Sequence, residues 1–267
     1  MSTTESSLRV EHVMGMPITL ALRGRHAHDR TGLAAWSEVM ESLREVDRIF
    51  STYRDDSEIS RLGNGTLERH EVSPLVEEVL ALGEKALLES SGAFDVWLPD
   101  AEGTRRLDPS GVVKGWAVER AARILEDLDG TDYCLSAGGD MVCRTRDLDS
   151  AGWRIGIEDP RDPTRLIAVV PVTNGAVATS GTTHRGAHLV DARTGHAPVG
   201  IASVTVITES LTWADIDATT AYAHGLDAAR WLSTRPDRTG LIVWADGTTT
   251  TFSTPAISAA TAATPAA

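Results

Sequence analysis

LDPSGVVKGWAVERAARILEDLDG, residues 107–130, runs directly into TDYCLSAGGDMVCR, residues 131–144. The first half predicts a helix from close to Lys114 to about Leu128, stopped by Asp129-Gly130, since glycine readily takes the backbone conformation that ends a helix. The second half predicts short strands at 132–136 and 141–144, parted by Gly138-Gly139. From there the strand pattern continues at 152–158, 166–172, 176–179, 187–190 and 201–207. The chain therefore mixes helices and strands without regular β-α-β alternation. That indicates an α+β fold rather than a doubly wound sheet.

Upstream, residues 8–23 read as strands interrupted by Gly15 and Pro17. In residues 31–50, Leu33, Trp36, Met40, Leu43, Val46 and Phe50 recur at helical spacing and predict an amphipathic helix. The polar stretch STYRDDSEISRLGNG, 51–65, ends on the turn signal Asn64-Gly65. A further helix begins with Ser73 as N-cap and Pro74 at its first position, carries Glu77 and Glu78 near its positive end, and stops near Ser91-Gly92. Downstream, helices are predicted at 212–223 and near 226–233. A last hairpin turns at Asp246-Gly247 between GLIVWA and TTTTF. A single domain over 9–252 is expected, flanked by disordered segments at 1–8 and 253–267, the latter small, uncharged and proline-containing. No internal repeat is present.

Hydrophobic residues make up 42% and charged residues 24%, the balance of an ordinary globular protein. Twenty-five basic residues face 38 acidic ones, for a net charge of −13, and no Lys/Arg run stands out. A nucleic-acid partner is excluded on that ground, because its phosphates need clustered cations. A phosphate ligand would be repelled by so acidic a protein unless a metal ion bridged the two. The start, MSTTESSLRVEH, lacks a charged segment followed by an apolar run, and no stretch approaches the ~20 apolar residues of a membrane span. Cys134 and Cys143 have no metal-binding spacing and read as reduced, half-buried thiols in preference to a disulfide. A soluble, cytoplasmic protein is expected.

Four segments carry more chemistry than folding needs. Asp108 and Lys114 flank a glycine-containing turn that opens a helix, which is either a phosphate cradle or a plain turn with a solvated lysine. Asp215 and Thr219, four apart in TWADIDATTAYAHG, share a helix face. A carboxylate with a hydroxyl suits a hard cation such as Mg²⁺, although Thr212 could simply cap the helix and Asp215 neutralise its first turn. Asp217 points to a different face. SAGGD, 136–140, lets backbone approach a ligand or makes a structural bend. His188, in a predicted strand, could act as a general base or serve structure alone. No H-E-x-x-H or Cys/His cluster suggests zinc.

Taken in order, these segments resemble the ApbE family, the FAD:protein FMN transferases. The landmarks run HVMGMPITL (12–20), FSTYRDDSEISRL (50–62), SGAFDV (91–96), LDPSGVVKGWAVERAARIL (107–125), SAGGD (136–140), WRIGIEDPRDP (153–163), AVATSG (176–181), HLVDARTG (188–195), SVTVIT (203–208) and WADIDATTAYAHG (213–225). The resemblance implies two mixed α/β subdomains with FAD in the cleft between them. It implies a reaction that breaks the FAD diphosphate, moves FMN to a Thr or Ser hydroxyl of an acceptor flavoprotein as a phosphoester, and releases AMP. It also implies site residues. Asp215 and Thr219, with the carbonyls of Gly111 and Ala218, match the family's Mg²⁺ ligands. Met14, Tyr53, Ala93, Phe94, Asp95, Asp108 and Lys114 match FAD-contacting positions, and His188 matches the histidine that acts on the acceptor hydroxyl or contacts FAD. Lys114, Asp215 and His188 would be the catalytic group.

The chain departs from the family pattern at several places. Met16 replaces the threonine of M-G-T, Ala192 replaces the proline of D-P-x-T-G, and the segment between Val96 and Asp108 is short, as is the loop between Gly181 and His188. A more open cleft follows. It keeps two alternatives in view: FAD hydrolysis with water as acceptor, and FAD binding without turnover.

Overall fold

The computed structural model describes residues 6–99, 104–146, 151–181 and 189–256. Its centre is an eight-stranded sheet in which every neighbouring pair is antiparallel. The strands are β1 (Ser6–Val13), β2 (Met16–Gly24), β5 (Thr131–Ala137), β6 (Asp140–Arg144), β9 (Gly175–Gly181), β10 (Ile201–Thr208), β11 (Thr239–Trp244) and β12 (Thr249–Ser253), adjacent in chain order. Three excursions leave this meander. Between β2 and β5 come α1 (Arg30–Phe50), α2 (Glu58–Gly63), α3 (Pro74–Glu89), the small hairpin β3 (Trp97–Pro99) with β4 (Arg105–Leu107), and α4 (Ser110–Ala122). Between β6 and β9 comes the hairpin β7 (Trp153–Asp159) and β8 (Asp162–Val172), and between β10 and β11 come α5 (Leu211–Ala223) and α6 (Ala228–Leu232). The α+β class is as expected.

The layers follow from strand alternation. On β2, Met16, Ile18, Leu20 and Leu22 are buried and share one core with Trp36, Met40, Leu43, Val46 and Phe50 of α1, Val112 and Trp116 of α4, and Ile216 of α5. The stripe expected on α1 is thus its buried face, except that Leu33 in the first turn is exposed. The opposite face of the sheet is covered by β7 and β8. Ile155 and Val172 pack on Cys143 and Val177, and Ile157 packs on Leu241 and Val243. Helices α4 and α5 meet where α4 has no side chain. A Cβ on Gly115 would lie 2.8 Å from the Leu211 carbonyl oxygen and 2.9 Å from the Asp215 Cβ.

Several boundaries differ from expectation. The α4 helix starts at Ser110, earlier than Lys114, and gives way after Ala122 to a 3₁₀ turn at Arg123–Asp127, whose tighter winding brings the chain into β5. Ser73 begins α3 without a side-chain capping bond. The α3 helix ends where the Gly92 N–H reaches back to the Leu87 carbonyl at 2.9 Å, with Ser91 and Gly92 both at positive φ. Ser210, not Thr212, caps α5 by accepting from the Trp213 N–H. Of the strand expected at 187–190, the first two residues lie outside the described residues. Leu189 and Val190 are not in a strand, and an isolated bridge joins Asp191 to His196 instead. β1 begins at Ser6, within the segment expected to lack order, because it completes the ladder on β2; β12 runs to Ser253. Among the described residues, no helix is long and apolar enough to cross a membrane.

Candidate functional site

Two hairpin turns lie side by side at one end of the sheet. Met14-Gly15 joins β1 to β2, Gly138-Gly139 joins β5 to β6, and all four residues have positive φ, the geometry of a tight two-residue turn. The Gly138 N–H donates to the Pro17 carbonyl at 3.2 Å and ties the turns together. Above them opens a cavity of about 1030 Å³. Its wall takes in both turns, the end of α1, the start of α4, the Thr179–Gly181 end of β9, and the tip of the β7–β8 hairpin from Gly156 to Pro160.

Residues far apart in the chain converge on its floor. The Lys114 ammonium, on the first turns of α4, pairs with Asp215 Oδ1 on α5 at 3.1 Å and with Asp140 at the start of β6. The Gly115 N–H donates to Asp215 Oδ2 at 3.0 Å, so the glycine that lets the helices approach also fixes the carboxylate. Asp140 Oδ1 accepts from the Thr179 N–H at 2.9 Å. One turn along α5, Thr219 shares a hydrogen bond of 3.0 Å with Ser180. Both carboxylates are almost wholly buried, so among the described residues two acids meet one ammonium at the floor in little solvent. Burial pushes the Asp215 carboxyl up, Lys114 pulls it back, and Asp140 pushes it up again.

Most residues singled out in the sequence meet here. Met14, Tyr53, Ala93, Phe94, Asp95, Asp108, Gly111, Lys114, Asp215 and Thr219 all line the cavity. Tyr53 stands on the rim, 98% exposed. Asp108 Oδ1 accepts from the Ser110 N–H at 3.1 Å at the start of α4, and Phe94 packs so closely on Gly111 that a Cβ there would lie 3.0 Å from its ring. Asp95 accepts from the Trp97 N–H at 2.8 Å and pairs with Arg105. Ala218 is wholly buried and is not part of the wall. His188 lies outside the described residues, while its neighbours Leu189 and Val190 line the cavity. Asp217 faces away, as its place on α5 required, and is held by Arg235 and Arg238.

Sequence reasoning did not assign Asp140 or Ser180. Both stood in segments already singled out, SAGGD and AVATSG, and the available signal was a polar side chain beside a glycine at a strand end. Their roles depend on strand register: β6 pairs Met141 with Val177 of β9, which brings Asp140 to Thr179.

A cleft of this size, with a helix start, a lysine and buried carboxylates at its floor, marks an α+β protein with a concave, polar-floored cavity of the kind that takes a small molecule. The chain belongs to the ApbE family, whose model matches residues 14–101 and 96–243. An FAD:protein FMN transferase of Haemophilus influenzae is 25% identical, with 72% of this chain and 73% of that protein covered. The FAD:protein FMN transferase of Vibrio cholerae is 28% identical, with 67% and 70% covered. Among solved structures, the flavin transferase ApbE from Vibrio cholerae superposes with a TM-score of 0.77 at 22% identity, over 94% of this chain and 97% of that one. Pseudomonas stutzeri flavinyl transferase ApbE gives 0.78 at 22% identity, over 94% and 95%. The structural matches establish the fold.

Proposed function

We propose that this chain is an FAD:protein FMN transferase. It breaks the diphosphate of FAD, passes FMN to a Thr or Ser hydroxyl of an acceptor flavoprotein as a phosphoester, and releases AMP. The observation that carries this reading is the meeting of Lys114, Asp140, Asp215 and Thr219 at the floor of a cleft large enough for a dinucleotide, in a chain of the ApbE family.

Phosphoryl transfer asks mainly for positioning and charge neutralisation. Lys114 supplies a fixed positive charge beside the start of α4, whose Ser110 and Gly111 line the cleft at the positive end of the helix dipole. Among the described residues, Lys114 is shared by two buried carboxylates. A cation is part of the reading, and the donors that line the cleft suit Mg²⁺: the Asp215 carboxylate, the Thr219 hydroxyl and the Gly111 carbonyl are hard oxygen ligands, while Ala218, whose carbonyl the resemblance adds, is not part of the wall. Among the described residues no three His, Cys, Asp or Glu side chains gather into a metal cluster, so substrate phosphates or water would complete the shell. When bound, Mg²⁺ supplies the charge that polarises phosphorus and stabilises the departing AMP. His188 is the candidate for taking the proton of the acceptor hydroxyl.

FAD hydrolysis is the second reading, favoured by the exposed Tyr53 at an open rim. One assay separates the two: AMP release from FAD with Mg²⁺ or with EDTA, with and without a candidate acceptor protein. Transfer requires metal-dependent AMP that appears only with the acceptor, together with a fluorescent protein band on a denaturing gel. Metal-dependent AMP without acceptor would replace transfer by hydrolysis.

A further inference from the structure

Cys134 and Cys143 lie opposite each other on β5 and β6, where the register pairs them directly. Their sulfurs are 3.5 Å apart, with Cys143 Sγ donating to Cys134 Sγ. Directly paired antiparallel positions hold their Cα atoms about 4.5 or 5.5 Å apart and their side chains on one face, within the range a disulfide spans without backbone movement. Both side chains face the layer formed by β7 and β8, away from the helices: Cys143 is buried with Ile155, Val172 and Val177, and Cys134 packs at the edge of the same cluster, half-buried. The two thiols also differ in burial. The hydrogen bond to Cys134 and burial together push the Cys143 thiol far up, so it is held as the proton-bearing partner.

We propose that Cys134 and Cys143 are a reversible redox pair that closes to an intrachain disulfide when the protein meets a hydroperoxide. Cys134, the more accessible sulfur, attacks the peroxide. The O–O bond breaks, an S–O bond forms, and the alcohol or water leaves, giving a sulfenic acid. Cys143 then attacks that sulfur. The S–S bond forms, the S–O bond breaks, and hydroxide leaves with the Cys143 proton as water. In sum, two thiols and one hydroperoxide give a disulfide, an alcohol or water, and a further water. A dithiol reductant reverses it. The bond would staple the hairpin whose tip, Gly138 to Asp140, forms part of the cavity wall, so the pair sits on the element that carries a charged residue of the site.

The test uses the full chain, oxidised with hydrogen peroxide under conditions that fully oxidise free glutathione. Remaining thiols are then alkylated in denaturant and the protein digested with trypsin. Residues 124–144 fall in one peptide that holds both cysteines. The expected result is loss of two hydrogens from that peptide with no alkylation, restored to two alkylated thiols by dithiothreitol. With Cys143→Ala, Cys134 should instead accumulate as a sulfenic acid trapped by dimedone. With Cys134→Ser, Cys143 should stay alkylatable. Two alkylatable thiols surviving in the wild type, oxygen adducts without the two-hydrogen loss, or a disulfide-linked dimer on a non-reducing gel would each overturn the proposal.

Discussion

Asp215 and Asp217 stand two residues apart on α5, and both are buried, yet their surroundings differ in kind. Asp217 is ringed by two guanidinium groups, with Arg235 Nε at 3.1 Å and Arg238 Nε at 2.6 Å. Burial raises its carboxyl and both arginines lower it. Among the described residues, Asp215 pairs with the Lys114 ammonium, which it shares with Asp140. The first arrangement is a network in which Arg235 also pairs with Glu89 at 2.7 Å, and it closes the packing of α5 on the C-terminal segment, where Thr254 accepts from the Arg238 N–H at 2.8 Å. The second, among the described residues, sets two buried carboxylates around one lysine and opens onto a cavity. A buried acid with its charge compensated is part of the scaffold; one that shares its cation at a cleft is placed for a ligand that brings positive charge.

The largest effect expected from this contrast is on stability. Asp217→Ala removes the buried carboxylate shared by Arg235 and Arg238, leaving Arg235 its pair with Glu89 and Arg238 only neutral acceptors, and should cost about 3–5 kcal/mol, measured by urea unfolding. Asp215→Ala should do the reverse. It leaves one carboxylate for one ammonium, so the melting temperature should change little, while AMP release from FAD should fall about 10²–10³-fold. Equal losses of stability from the two variants would break the comparison. Asp140→Asn tests the other half of the shared pair. It should weaken the Mg²⁺ dependence of turnover by roughly 10–100-fold, seen as a rise in the Mg²⁺ concentration needed for half-maximal rate.

Gly115→Ala probes the crossing that holds Asp215 in place. Forcing a methyl group against the Leu211 carbonyl and the Asp215 side chain should cost about 1–3 kcal/mol by the same unfolding assay. The smallest effect belongs to His224, the residue that caps the other end of α5. Burial and the nearby Arg193 hold its imidazole below the usual range. The folded state therefore prefers the neutral ring, so this contribution is fully present above about pH 6.5 and is lost as the pH falls below it. Melting temperatures followed from about pH 7.5 to about pH 5 should drop less steeply in His224→Gln than in the wild type.

The sequence and the structure agree most closely where local pattern decides the outcome. The α1 stripe, the Pro74 start of α3 and the Asp-Gly turn of the last hairpin are each fixed by residues within a few positions of one another. Asp215 and Thr219 were readable as a pair for the same reason, being four apart on one helix. The contact of Lys114 with Asp215 spans two excursions from the sheet, and resemblance to a family, not periodicity, brought them together. Asp140 went unassigned because its role rests on pairings between β5, β6 and β9, which no short window encodes. The hairpin of β7 and β8 was legible as two strands, but its place over the far face of the sheet was not, since that depends on which of two apolar faces the helices leave free.

The account turns on the claim that the α5 carboxylate at the cleft, Asp215, is where a cation sits. The direct measurement is Mn²⁺ binding followed by electron paramagnetic resonance in the wild type, Asp215→Ala and Asp217→Asn, each in its folded form. The expected result is that the wild type and Asp217→Asn take up Mn²⁺ in competition with Mg²⁺, and that Asp215→Ala does not. Uptake by Asp215→Ala with wild-type affinity would contradict it and place the cation elsewhere.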